Sequence, residues 1–92
     1  MNTVIISKPG GPEVLEYKEL KLEEPKADEV TIKNHAIGLN YIDTYHRSGL
    51  YPLSLPSSIG LEGAGEIIKI GSEVKNFKVG DKVAYCAAPV GA

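Results

Sequence analysis

Residues 29–49 read EVTIKNHAIGLNYIDTYHRSG, and two periodicities meet inside that stretch. Over Glu29 to Ile37 the apolar residues Val30 and Ile32 alternate with polar ones, which predicts a half-buried strand. From Asn40 the alternation stops. Asn40 suits an N-cap, Asp43 stands three positions on, and Gly49 is free to take a left-handed C-cap, so residues 40–49 are predicted to form one short helix.

Working outward, period two returns. Val4 with Ile6 and Leu20 with Leu22 repeat the pattern, and strands are predicted over Thr3 to Ser7, Val14 to Leu22, Gly63 to Ile70 and Asp81 to Cys86. Ten glycines and six prolines punctuate them, as at Pro9-Gly10-Gly11-Pro12. Short strands separated by frequent breakers predict a mainly β sandwich or barrel carrying one short helix. The end of the sequence, Ala87 to Ala92, is small and apolar and offers no closing strand, which predicts a domain continued by further polypeptide.

Ninety-two residues hold one small domain. Surface scaling lets a chain of this size bury roughly 64% of its unfolded surface, enough for one modest core. Ten basic against 12 acidic side chains give a net charge of −2 without a basic cluster. Nucleic acid and anionic membrane are therefore not expected partners, because both require a concentrated positive surface. No apolar stretch is long enough to span a bilayer, and the N-terminus lacks the plan of a signal peptide, so a cytoplasmic location is expected. A single cysteine, Cys86, cannot form an internal disulfide.

The chemistry-bearing residues are few. Gly60-Leu61-Glu62-Gly63-Ala64-Gly65 precedes a predicted strand, whereas a dinucleotide fingerprint follows a strand and opens a helix, so close backbone approach explains these glycines better. His35, His46 and Cys86 lack metal-ligand spacing, and both histidines are expected at the surface. Glu23 and Glu24 read as a solvated turn before Pro25. In the helix, Asn40 and Asp43 share one side near its start, Tyr41 and Tyr45 are spaced i and i+4, and Tyr51 follows the Gly49 turn. Two readings stay open. These groups could line a pocket for a flat, polar-edged ligand such as a nicotinamide or quinone. Alternatively, Asn40 caps, Asp43 closes a capping box and the tyrosines fill the core.

Three longer strings carry a family resemblance: GGPEVLEY at 10–17, AIGLNYIDTYHRSGLYP at 36–52 and GLEGAGEIIKIGSEVKNFKVGDKVAY at 60–85. Together they resemble the N-terminal, GroES-like part of the zinc-independent quinone oxidoreductases, within the medium-chain dehydrogenase/reductase superfamily. The resemblance implies a partly open GroES-like β-barrel and places residues 1–92 in the catalytic domain of a larger enzyme. The Rossmann domain that binds NADPH would be carried by other residues. It implies that Asn40, Tyr41, Ile42, Asp43, Thr44 and Tyr45 face the nicotinamide end of NADPH, and that Tyr45 and Tyr51 border the pocket of a quinone or enone, with Tyr51 the one catalytic candidate. The parent is expected to be a homodimer, and the 92-residue chain alone to be inactive. Zinc-dependent relatives carry a cysteine and a His-Glu pair where this chain has Asn40 and Leu61-Glu62. Neither Asn40 nor Leu61 replaces a thiolate or imidazole ligand, so no metal site is expected and Glu62 becomes a structural hydrogen-bonding acid. A free-standing GroES-type co-chaperonin subunit is the alternative. The predicted helix over residues 40–49, which has no place in that fold, discriminates against it.

Overall fold

The computed structural model describes residues 1–86 and Gly91. Strand β1 (Asn2–Ile6) is followed by a 3-10 turn (Pro12–Val14), β2 (Glu16–Glu19), β3 (Val30–Ile37), helix α1 (Tyr41–Ser48), β4 (Ser57–Ser58), β5 (Glu62–Ile70) and β6 (Lys82–Cys86). Two three-stranded antiparallel sheets result, ordered β2-β1-β4 and β3-β5-β6. Among the described residues these sheets do not close on one another, in agreement with the partly open, mainly β architecture expected.

Four of the five predicted strands lie within a residue or so of their expected bounds, and the single helix falls between its expected caps. The strand predicted over Val14 to Leu22 is corrected. Pro12 fixes its own φ and opens the 3-10 turn, Val14 is buried at the end of that turn, and only Glu16–Glu19 pair as a strand. Leu20 adds one bond to Met1 O (2.7 Å), while Leu20 and Leu22 are exposed. Strand β4 was not anticipated, since Ser57 and Ser58 have no apolar alternation to reveal them; their register with Ile6 and Ile5 makes the strand. The reading of the chain end, apart from Gly91, lies outside the described residues.

The core is thin. Ile5, Ile6, Val14 and Ile67 are its buried apolar side chains among the described residues, and the fully buried Ile6 and Ile67 come one from each sheet. Around it the glycines of 60–65 permit close approach, as their sequence suggested. Gly65 sits directly against the Lys33 carbonyl of β3, and a Cβ there would lie 2.7 Å from Lys33 C and 2.8 Å from Asn34 Cα. Beyond Gly63, the Asn34 amide donates to the Tyr85 hydroxyl (2.9 Å), so a polar bridge crosses β5 from β3 to β6 in the space a Gly63 side chain would fill.

Helix α1 is tied down at its C-terminal end. Gly49 takes the left-handed conformation (φ 88°), its N–H donates to His46 O (3.3 Å), and a Cβ there would press to 3.0 Å from Pro9 Cβ. The Gly10 N–H donates to Arg47 O (2.9 Å) and Arg47 Nε donates to Gly10 O (3.2 Å), which clasps the helix end to the 9–11 turn. Gly49→Ala is expected to cost about 1–2 kcal/mol, the penalty of left-handed backbone for a residue with a Cβ, read as a lower urea midpoint at unchanged slope.

Candidate functional site

The start of α1 is built by a reciprocal turn. Asp43 N–H donates to the Asn40 carbonyl (3.0 Å), and the Asn40 N–H donates back to Asp43 Oδ2 (3.0 Å). Asn40 and Asp43 thus stand in the capping-box positions, with Asn40 in extended backbone (φ −126°, ψ 156°) and an acid in the first turn where the helix dipole favours it. This half of the structural reading of the motif holds. Asp43 is buried, one oxygen capping Asn40 and the other without a hydrogen-bond partner. Its carboxylate acts on the backbone of Asn40 and is not turned to solvent.

The other half does not hold. Asn40 Nδ2 reaches across to Glu62 Oε2 on β5 (3.0 Å), so the side chain engages a second element. Nor do the tyrosines fill the core. Tyr41 is 84% exposed, Tyr45 38% and Tyr51 50%. Tyr45 and Tyr51 pack edge to face, with ring centroids 5.4 Å apart and planes at 71°, and the Tyr51 N–H donates to Tyr45 O (3.2 Å). A T-shaped pair leaves a phenol face free for a flat partner. Ile42 is half-buried, and the Thr44 hydroxyl donates to Tyr41 O (2.6 Å), which keeps that hydroxyl within the helix.

His46, expected at the surface, is buried: it points inward from the same helix side as Asp43, one turn on, and lies edge-on to Tyr51 at 6.4 Å. Its short distance from the polar Arg47 in sequence misled, because neighbours in a helix face different directions. His35 is exposed, and so is Cys86. Among the described residues no three His, Cys, Asp or Glu side chains are grouped to hold a metal ion.

A shallow trough of about 370 Å³ runs from Gly38 and Glu62 along β5 toward Cys86. Ala36, Ala64 and Ala84, aligned across the three strands, line it. A smaller depression of about 260 Å³ between Val30, Val74 and Phe77 involves none of these residues. The start of α1 thus meets the first residue of β5 through Asn40 and Glu62, while the Tyr45–Tyr51 pair is built at the other end of the helix, across the Gly49 turn. Nothing local in the sequence announced the Asn40–Glu62 pairing; only the fold shows that Gly38 leaves the room the acid occupies.

Comparison with known proteins agrees with this architecture. The chain is 62% identical over 84 residues to a quinone oxidoreductase of Pseudomonas aeruginosa, covering 90% of the chain and 26% of the relative. It is 39% identical over 92 residues to a 2-haloacrylate reductase of a Burkholderia species, covering 96% of the chain and 28% of the relative. The crystal structure of Escherichia coli quinone oxidoreductase complexed with NADPH superimposes with a TM-score of 0.95 at 47% identity, over 98% of this chain and 28% of that one. The chain thus spans about a quarter of the length of the relatives it matches. No helix among the described residues is long and apolar enough to cross a membrane. Residues 26–91, which include α1, the trough and the aromatic pair's Tyr45 and Tyr51, match the alcohol dehydrogenase GroES-like domain, and the chain belongs to that family.

Proposed function

We propose that residues 1–92 form the N-terminal, GroES-like part of a zinc-free, NADPH-dependent quinone oxidoreductase that acts as a cytoplasmic homodimer, with a Rossmann domain supplied by other residues. The observation that carries this reading is the exposed Tyr45–Tyr51 pair, on and just after the helix that the exposed Asn40 opens, in a domain 62% identical over 84 residues to a quinone oxidoreductase.

The residues present fit one end of the cofactor. An exposed amide and exposed aromatic rings on one helix suit a flat, polar-edged ring, whereas the Gly60–Gly65 segment runs into β5 and offers no helix N-terminus for a pyrophosphate. NADPH, when bound, supplies the hydride. The chain's residues then position. Asn40 offers its amide to the ring edge, with Asp43 holding the Asn40 backbone in place, and Tyr41, Ile42 and Thr44 border the same end. Tyr45 and Tyr51 receive the quinone, or an electron-poor enone, on an electron-rich phenol face, and the Tyr51 hydroxyl donates to its oxygen. Zinc does not fit here: a carboxamide at 40 and an alkyl side chain at 61 stand where metal-dependent relatives have ligands. An alcohol substrate, which needs a Lewis acid at its oxygen, is accordingly disfavoured. Helix α1, which the co-chaperonin alternative cannot place, and relatives named as an oxidoreductase and a reductase both weigh against that alternative.

The full-length product of the gene carrying this sequence is expected to oxidise NADPH in the presence of 1,4-benzoquinone, and the 92-residue chain alone to leave the NADPH absorbance unchanged. No turnover by the full-length product would overturn the reading. Within that enzyme, Tyr51→Phe is expected to lower kcat/KM about fivefold, the worth of one neutral hydrogen bond. Unchanged quinone kinetics would remove the Tyr51 hydroxyl from the site.

A further inference from the structure

An exposed asparagine ordinarily samples several rotamers and can present either edge of its amide. Asn40 is held from two elements instead: the capping turn of α1 fixes its backbone, and Glu62, at the head of the central strand β5, accepts from its Nδ2 at 3.0 Å. An ionised carboxylate has acceptors only, so it selects the nitrogen of the amide and turns the oxygen away. The acid itself is constrained. Its residue pairs with Cys86 on β6, and its carboxylate lies over Gly38, where a Cβ would stand 2.6 Å from Glu62 Cγ and closer still to the carboxyl atoms. Gly38, Asn40 and Glu62 form one unit, in which the missing side chain at 38 makes room for the acid that aims the amide.

We propose that Glu62 is a positioning residue, setting the rotamer and the presented edge of Asn40, and that Gly38 is glycine in order to admit the Glu62 carboxylate. This deepens the function proposed above, since it gives Asn40 one defined face toward a bound ring. Glu62 acts through Asn40 and does not itself reach the reacting atoms.

The test separates aiming from mere stability. In the ¹⁵N-labelled 92-residue chain, the two side-chain amide protons of Asn40 are expected to be well separated in native protein. In Glu62→Ala they should collapse toward the values of a free asparagine. Glu62→Gln should largely restore the separation, because its amide oxygen still accepts. Gly38→Ala should reproduce the Glu62→Ala spectrum, its methyl group displacing the carboxylate. The melting midpoint should move by no more than about 4 °C in Glu62→Ala, as befits one exposed hydrogen bond. In the full-length enzyme, Glu62→Ala should lower kcat/KM for quinone about tenfold and Glu62→Gln no more than about threefold, matching the loss of one hydrogen bond to a charged group. Asn40 amide resonances unmoved by Glu62→Ala, or not restored by Glu62→Gln, would overturn the proposal. Failure of the native enzyme to reduce quinone would overturn the functional reading alone, because the amide resonances still decide the positioning.

Discussion

Gly65→Ala is expected to unfold the chain. The new Cβ would be driven into the backbone of β3, against the Lys33 carbonyl and 2.8 Å from Asn34 Cα, and no side-chain rotation relieves a contact with backbone. The strands would have to separate, breaking the β3–β5 register between Ile32–Ile67 and Ala36–Ala64. Overpacking alone costs about 1–3 kcal/mol, and each ladder hydrogen bond lost adds about 1 kcal/mol, so a total near 4 kcal/mol or more consumes most of a small domain's stability of about 5 kcal/mol. Gly80→Ala is the control. Gly80, unlike Gly65, has φ in the left-handed region (97°), but nothing lies within 4 Å of a Cβ there, so only the backbone penalty of about 1–2 kcal/mol remains. Urea denaturation and the dispersion of amide resonances read both. Equal midpoints for the two variants would show that close approach at 65 is not what the fold requires.

That contrast marks how far the sequence could be read. Glycines at 60–65 ahead of apolar Ile67 and Ile68 announced a strand that admits a close neighbour, because no phosphate-binding helix follows them. Which backbone approaches was not readable, since Lys33 and Gly65 meet only through a register spanning some thirty residues, with a bulge between Asn34 and Ala36. The helix was legible from its ends, where Asn40, Asp43 and Gly49 act within one or two turns of each other. Local chemistry is written locally.

The candidate site divides along the same line. The capping exchange between Asn40 and Asp43 could be foreseen from a spacing of three. The Asn40–Glu62 bond could not, because the two stand 22 positions apart with α1 and β4 between them, and Glu62 had been singled out only through resemblance. Tyrosines at i and i+4 were read to share a helix side, and of the two readings left open the one that buried them in the core fails. The inward side of this eight-residue helix is taken by Asp43 and His46, which leaves Tyr41 and Tyr45 to the outside. Two polar residues facing inward on a short helix run against the usual preference for apolar residues there, so no hydropathy pattern reveals them.

Ile67→Ala is the second substitution expected to act strongly, and its signature should differ from that of Glu62→Ala on the same strand. Ile67 is 1% exposed, and its backbone holds the β5–β6 connection: the Gly80 N–H donates to Ile67 O (2.9 Å) and the Ile67 N–H to Asp81 O (2.9 Å). Truncating a buried isoleucine costs about 2–5 kcal/mol, while Ile67→Val costs about 1 kcal/mol. The domain has little to absorb the larger loss. It exposes 6568 Å² where a folded protein of 9.9 kDa shows about 5,200 Å², and Ile5, Ile6 and Val14 are the other buried apolar side chains among the described residues. Ile67→Ala should therefore lower the urea midpoint sharply and broaden amide resonances in both sheets, with the Asn40 side-chain amide disturbed only as part of that general loss. Glu62→Ala should do the reverse, moving the Asn40 amide while the midpoint stays. An Ile67→Ala variant as stable as Ile67→Val would show that the two sheets are held together elsewhere than through this core. A selective change at Asn40 in Ile67→Ala, with the rest of the spectrum intact, would show that the amide is aimed by packing along β5 as well as by the Glu62 carboxylate.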